Sequence, residues 1–258
     1  MLKARHRFAT SLPGSIFDRG NLGEKHHWGP PLKYLNIIAE GSTEENFVNE
    51  VLVGHFAALG IYVSVRKITT GWDKHSNKPA KGGLRQYSKF RDDVTRWIHS
   101  DNGRPDTWYT SFIDLYAFPT GKDSPYQADI QDIRDPYSKI ATLEAAISQD
   151  INHHRFIPYV QLHEFEAFLL VDPDRLSGLY PDGITGINKL KADIGNTNPE
   201  EINGSPQTAP SKRIIRHLPQ YANQKAQVGP LIAEDIGMTA LRAKCPHFDD
   251  WIGRLEKI

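Results

Sequence analysis

Four carboxylates in this sequence stand where a carboxylate is costly unless something binds it: Glu40, Asp114, Glu164 and Glu166. Glu40 and Asp114 directly follow apolar runs, Leu35 to Ala39 and Trp108 to Ile113, and Glu164 and Glu166 come two and four residues after a third, Phe156 to Leu162. Burying such a group without a partner is unfavourable, so its recurrence at three strand-like ends points to a shared task. If the three strands are parallel neighbours, their ends meet on one edge of the sheet, where open α/β sheets take their ligands. Hard divalent cations such as Mg²⁺ or Mn²⁺ accept carboxylate oxygens and keep several waters. A cation held there can orient a phosphodiester, stabilise its developing charge and lower the pKa of an attacking water. Glu40, Asp114 and Glu164 are the candidate metal ligands, and with Glu166 they form the candidate catalytic set. In an extended chain Glu164 and Glu166 share a face, whereas in a helix His163 and Glu166 are neighbours instead. Glu164 is preferred because it lies closer to the strand end. His163 itself reads as a ligand, a general base or a hydrogen-bonded core histidine, with the last reading preferred.

Cations that could hold phosphate occur in two places. Lys81 and Arg85, followed by Lys89, lie at a glycine-rich loop that opens a helix, a combination able to cradle phosphate. Lys212 leads a second group with Arg213 and Arg216. Lys81, Arg85 and Lys212 are the candidate phosphate-binding residues. A plain solvated face explains the first group equally well, since Asp92 and Asp93 follow on the same helix. Neither a Walker pattern nor a G-x-G-x-x-G is present, which argues against ATP hydrolysis. Glu44 and Glu45 sit in a first helical turn, where the helix dipole alone accounts for them.

The elements that must position these residues can be read from periodicity. Leu35 to Ala39 is a buried strand, Gly41 a turn, and Ser42 with Glu45 fits a capping box. Phe47, Val48, Val51, Leu52, Phe56 and Leu59 then recur at helical spacing. Ile61 to Ile68 alternates as a second strand, and Thr70 to Gly83 is a long polar loop. A helix from about Arg85 to Ser100 buries Tyr87, Phe90, Val94, Trp97 and Ile98. Trp108 to Tyr116 is a third strand, Pro136 to Ile151 a helix, and Phe156 to Leu162 a fourth strand. This alternation predicts an α/β fold with right-handed crossovers and a mostly parallel sheet flanked by helices. From Asp172 onward the pattern becomes short helical pieces, near Ile187–Ile194, Pro210–Leu218, Leu231–Ile236 and Phe248–Leu255. The expected organisation is a poorly ordered extension over residues 1–33, an α/β domain over 34–171, and a helical carboxyl-terminal region over 172–258 packed on it. The extension is consistent with a start codon upstream of the true one.

The 258 residues balance 31 Lys and Arg against 31 Asp and Glu, so no global field draws the chain to nucleic acid or to a membrane. The single cysteine, Cys245, excludes an internal disulfide framework and a multi-cysteine metal site, and suits a reducing compartment. No apolar run approaches the roughly 18 residues of a membrane span, and the amino terminus lacks the apolar core of a signal peptide. The expected location is cytoplasmic.

Several segments together resemble a bacterial family of Toprim-like proteins that carries a domain-of-unknown-function label and is linked with ATPase partners in phage-defence loci. They are Glu40-Gly41-Ser42-Thr43-Glu44, Phe112-Ile113-Asp114-Leu115-Tyr116, Tyr159 to Ala167 and Lys81 to Tyr87. Thr208 to Arg213, Gly229 to Gly237 and Cys245-Pro246-His247-Phe248 add to the match. The broader resemblance is to Toprim domains of topoisomerases, primases and overcoming-lysogenisation-defect nucleases, and it implies a Toprim-like, Rossmann-like sheet. In those domains an acid after the first strand does acid/base or metal work, and a later D-x-D pair binds Mg²⁺. Glu40 matches the first position and Asp114 the first Asp of the pair, while Tyr116 stands where the second Asp would fall. Either Glu164 or Glu166 supplies the missing ligand, or metal binding is weak or absent. The resemblance implies a Mg²⁺- or Mn²⁺-dependent nuclease with DNA or RNA as substrate, acting as an effector in anti-phage defence. Two alternatives stand beside it: a non-catalytic partner subunit that binds an ATPase or nucleic acid, and a phosphoesterase directed at tRNA or nucleotides. The oligomeric state is open.

Overall fold

The computed structural model describes residues 32–68, 72–73, 78–79, 84–101, 103–116, 118–202 and 207–258. The readings of residues 1–31 and of most of the 70–83 loop fall outside them. Residues 31–258 form one compact unit. It is α/β: a parallel sheet flanked by helices, followed by a helical carboxyl-terminal region.

The sheet is built from β1 (Lys33–Ala39), β2 (Ile61–Lys67), β3 (Thr107–Asp114), β4 (Phe156–Ile157) and β5 (Val160–Gln161). β1 pairs in parallel with β2 on one side and β3 on the other, placing Ala39 opposite Lys67 and Phe112. β3 pairs with β4 and then β5, so the order is β2-β1-β3-β4 with β5 also on β3. The expected fourth strand from Phe156 to Leu162 is therefore two short pieces. Pro158, which has no N–H to donate, separates them. The Ser111 hydroxyl bridges the gap, donating to the Tyr159 carbonyl and accepting from the Tyr159 N–H, both at 2.9 Å.

The first helix starts one residue earlier than the Ser42–Glu45 reading. Gly41 is its N-cap, and Glu44 rather than Glu45 reaches back, accepting from the Gly41 N–H at 2.8 Å. Glu45 turns outward to pair with Lys67 at 2.8 Å. α1 (Ser42–Phe47) runs through a π-helical stretch (Val48–Leu52) into α2 (Val53–Ala57). Phe56 in α2 remains in the core, but the helix ends before Leu59, which is 52% exposed rather than buried. α3 (Tyr87–Ser100) and α4 (Pro136–Ile151) follow, α3 starting two residues later than the periodicity suggests.

Sheet alternation divides the core. Phe112 faces Phe47, Phe165, Phe168 and Trp251, while Ile38 and Ile113 face Phe90, Val94, Ile140 and Leu143. Thus α1 and α2 cover one face and α3 and α4 the other. The carboxyl-terminal helices join the α1 face: α5 (Ile184–Ile194), α6 (Pro210–His217), α7 (Lys225–Ile236), α8 (Met238–Lys244) and α9 (Pro246–Leu255). Of these only α8 lacks a counterpart in the sequence reading. Trp251 stacks on Tyr159 at 4.1 Å between ring centroids and donates to the Thr110 hydroxyl at 2.8 Å, pinning α9 beneath β3. Asn46 donates to the Ala226 carbonyl at 2.8 Å and ties α1 to α7. Among the described residues no helix is long and apolar enough to cross a membrane.

α5 and α6 approach closely at Gly186, where a methyl group would lie 2.2 Å from the His217 carbonyl oxygen. Backbone cannot yield there as a flexible side chain would. Gly186→Ala is expected to lower unfolding free energy by about 2–3 kcal/mol in urea melts. Gly54→Ala, in α2 with nothing within 4 Å of the added methyl, is expected to be neutral or stabilising by about 0.5–1 kcal/mol.

Candidate active site

The connection from β1 to β2 and the later crossover to β3 lie on opposite sides of β1, so the strand order reverses between β1 and β3. The crevice outside such a reversal is where open α/β sheets bind ligands. Glu40 follows β1 and Asp114 ends β3. The backbone locks the two together. The Glu40 N–H donates to the Phe112 carbonyl at 3.0 Å, and the Glu40 Oε2 accepts from the Asp114 N–H at 2.9 Å. Glu40 Oε1 accepts from the Leu84 N–H at 3.1 Å, just ahead of α3. Burial raises the pKa of Glu40, and these two N–H bonds oppose the rise.

Asp114 shares the Phe112 face of β3, because side chains alternate along a strand. The residue as a whole is half-buried, yet its Oδ1 is sealed from solvent and has no hydrogen-bond partner among the described residues. Its pKa is pushed well up, first by burial and then by the negative charges of Glu44, Glu40, Glu166 and Glu164.

Glu44 joins this group although its position in a first helical turn gave a sufficient structural explanation. Its back-bond to Gly41 folds the side chain toward Glu40, and it is buried. Burial, then the Glu40 charge, raises its pKa to about 8. The sequence signal was the four-residue spacing from Glu40: a helix capped at Gly41 makes Glu44 the residue that reaches back.

Glu164 and Glu166 are both buried and bracket the start of a 3₁₀ helix (Phe165–Leu170). His163 takes a left-handed φ of 66° at the preceding turn. Burial and the Lys139 charge lower the His163 pKa to about 4, so the ring is neutral near pH 7. Glu164 Oε2 accepts from the Ser211 N–H at 2.9 Å, placing its carboxylate at the positive end of α6. Glu166 Oε1 pairs with Lys225 Nζ at 3.1 Å and accepts from the Tyr221 hydroxyl at 3.3 Å. Its pKa is raised by burial and held back by Lys225. Lys225 and Tyr221 had no local sequence signal, because only tertiary packing brings that helical region under β3.

Of the expected phosphate ligands, Lys81 lies outside the described residues. Arg85 and Lys212 are exposed. Arg85 is one residue beyond Leu84, the donor to Glu40, and Lys212 is one residue beyond Ser211, the donor to Glu164. Each cation is therefore adjacent in the chain to a backbone anchor of an acid.

Among the described residues no three His, Cys, Asp or Glu side chains are arranged as a ready metal cage. Mg²⁺ is commonly held by only one or two carboxylates, with water and substrate phosphate completing its shell. The orphaned Asp114 Oδ1, beside a fixed Glu40, fits the carboxylate part of such a shell. No curated protein and no solved structure matches the chain. A family model described as a domain of unknown function, DUF4276, matches residues 39–256, and the chain belongs to that family.

Proposed function

We propose that this protein is a divalent-metal-dependent phosphodiesterase acting on nucleic acid. The observation that carries the proposal is Asp114 Oδ1, a sealed carboxylate oxygen without a donor among the described residues, on a residue that feels the charges of four further acids. Such an oxygen is unfavourable in an empty protein and well suited to Mg²⁺ or Mn²⁺, with Asp114 and Glu40 as ligands and Glu164 beside them. A bound cation would stabilise charge on the phosphate and favour ionisation of the attacking water. Glu40 is oriented for this by the Leu84 and Asp114 N–H groups. Glu44 holds a proton near neutrality, and because Oε2 accepts from Gly41 the proton resides on Oε1. A group with that pKa suits general acid–base work. Arg85 and Lys212 would position phosphate, a role that needs charge more than base contacts. Lys225 balances Glu166. The resemblance to Toprim-like defence proteins supports a nuclease effector role with an ATPase partner.

The test is calorimetric titration of Mn²⁺ into the wild type and into a Glu40→Ala, Asp114→Ala double variant, alongside cleavage assays on plasmid DNA and total RNA. Saturable binding and cleavage, both lost in the double variant, are expected. Cuts confined to particular RNAs, with plasmid intact, would assign a tRNA-directed enzyme.

One observation favours a second reading, a non-catalytic subunit that binds an ATPase or nucleic acid. Tyr116 stands where a second Asp would complete the metal pair, and it is exposed beyond the end of β3. On that reading the wild type binds no Mn²⁺, and Glu40→Ala leaves partner capture unchanged.

A further inference from the structure

Next to Glu40 lies a pocket of about 310 Å³ lined by Ile68, Leu84, Arg85, Gln86 and Lys89. Two of its walls are pinned to the end of β1. The Ile68 N–H donates to the Ala39 carbonyl at 2.9 Å, and the Leu84 N–H donates to Glu40 at 3.1 Å. Ile68 and Leu84, each 5% exposed, lie at the floor of the pocket, while Arg85, Gln86 and Lys89 are exposed at its rim. Lys67, Lys191, Lys225 and Arg242 are each paired with a carboxylate. Arg85 and Lys89 have no such partner among the described residues, nor has the Gln86 amide. Two uncommitted cations and an uncommitted amide thus surround a recess, floored by Ile68 and Leu84, beside the acids.

We infer that this pocket is a nucleotide subsite, seating the base of the nucleotide that flanks the phosphate presented to Glu40 and Asp114. The inference rests on the phosphodiesterase reading above. Bare phosphate would use Arg85 and Lys89 but gain nothing from Ile68 and Leu84, and an apolar ligand would leave both cations idle. A nucleoside monophosphate uses all five residues. Its base packs on Ile68 and Leu84, and the Gln86 amide meets the base edge as donor and acceptor. Arg85 and Lys89 then take the phosphate. The volume is at the lower end of the roughly 300–1,000 Å³ of ligand pockets, so it suits one base and not a stacked run. Selectivity should reside at a single position of the substrate.

The test titrates the 5′-monophosphates of adenosine, guanosine, cytidine and uridine, and ribose 5-phosphate, into the full chain with Mg²⁺ present. At least one nucleotide is expected to bind about tenfold or more tightly than ribose 5-phosphate. Arg85→Ala with Lys89→Ala is expected to weaken all five probes by about tenfold or more. Gln86→Ala is expected to narrow the spread among the four bases and leave ribose 5-phosphate unchanged. These side chains are exposed, and circular dichroism checks that the variants fold. Nucleotides binding no better than ribose 5-phosphate, or a Gln86→Ala loss equal for every probe, would overturn the subsite. Cleavage of a labelled oligonucleotide with Mn²⁺ is read separately. Base-dependent binding without cleavage overturns the phosphodiesterase reading and keeps the subsite, whereas cleavage without base-dependent binding overturns the subsite alone.

Discussion

In buffer free of divalent cations, this protein is expected to lose stability as the pH rises from about 6 to about 8, and Glu44→Gln is expected to remove most of that loss. The sign follows from Glu44, whose pKa is raised on folding from the ordinary 4.5 to about 8. Between those values the folded protein keeps the proton that the unfolded chain has released. The native state therefore binds more protons, and its stability falls with rising pH by about 1.4 kcal/mol per unit. Across two units that amounts to about 2–3 kcal/mol. For a unit of this size it corresponds to a drop in melting temperature on the order of 5–10 °C. Glu40, Asp114 and Glu166 are shifted in the same direction, so none of them reverses the sign. Glutamine keeps the shape of Glu44 without titrating, and its Oε1 still accepts from Gly41. Thermal melts in EDTA at several pH values test this. A flat or rising profile for the wild type would show that the acids are solvated rather than confined together.

The part of this site that the sequence discloses is the part carried by local pattern. Glu40 is visible because an apolar strand, an acid, a glycine and a helix follow one another within a few residues. Asp114 is visible because Trp108 to Ile113 is so apolar that an acid at its end needs a reason. The parallel order follows from alternation of strand and helix. Small errors have local causes of their own. Gly41 takes the cap because its extended conformation frees Glu44 to turn back, and an equally acidic neighbour, Glu45, hides that choice. Pro158 splits the fourth strand, which its missing N–H could have signalled.

The rest of the site is assembled over long range. Tyr221 and Lys225 reach Glu166 from more than fifty residues away, and Ser211 reaches Glu164 from forty-seven. Those contacts depend on the carboxyl-terminal helices covering the Phe112 face of the sheet, which Trp251 and Tyr159 secure. Nothing in the periodicity of Lys225–Ile236 indicates which face it covers. From sequence the helical region is expected only to pack on the α/β domain, without a place relative to the site, whereas it supplies donors to two of the five acids.

Asp114→Asn separates a site from a structural acid, because its effect is expected to reverse sign with a cation. Without cation, replacing an acid whose pKa burial and its acidic neighbours hold well above the ordinary value by a neutral amide, which carries no such penalty and adds a donor among carboxylates, is expected to stabilise the fold by about 1–3 kcal/mol near pH 8. An acid retained for folding would behave in the opposite way. With Mn²⁺ at about 100 times its dissociation constant, the wild type gains about 2.7 kcal/mol. The variant, having lost the uncommitted Oδ1 oxygen as an anionic ligand, is expected to gain far less. The two melting temperatures should then cross: the variant melts higher in EDTA, and its advantage vanishes or inverts in Mn²⁺. Measuring both proteins in both buffers needs neither substrate nor activating partner. If Asp114→Asn is destabilising in EDTA and the wild type does not respond to Mn²⁺, the strand-end acids are structural and the metal reading fails. If the curves cross, the cost of confining five acids is a cost the fold bears for the ion they bind.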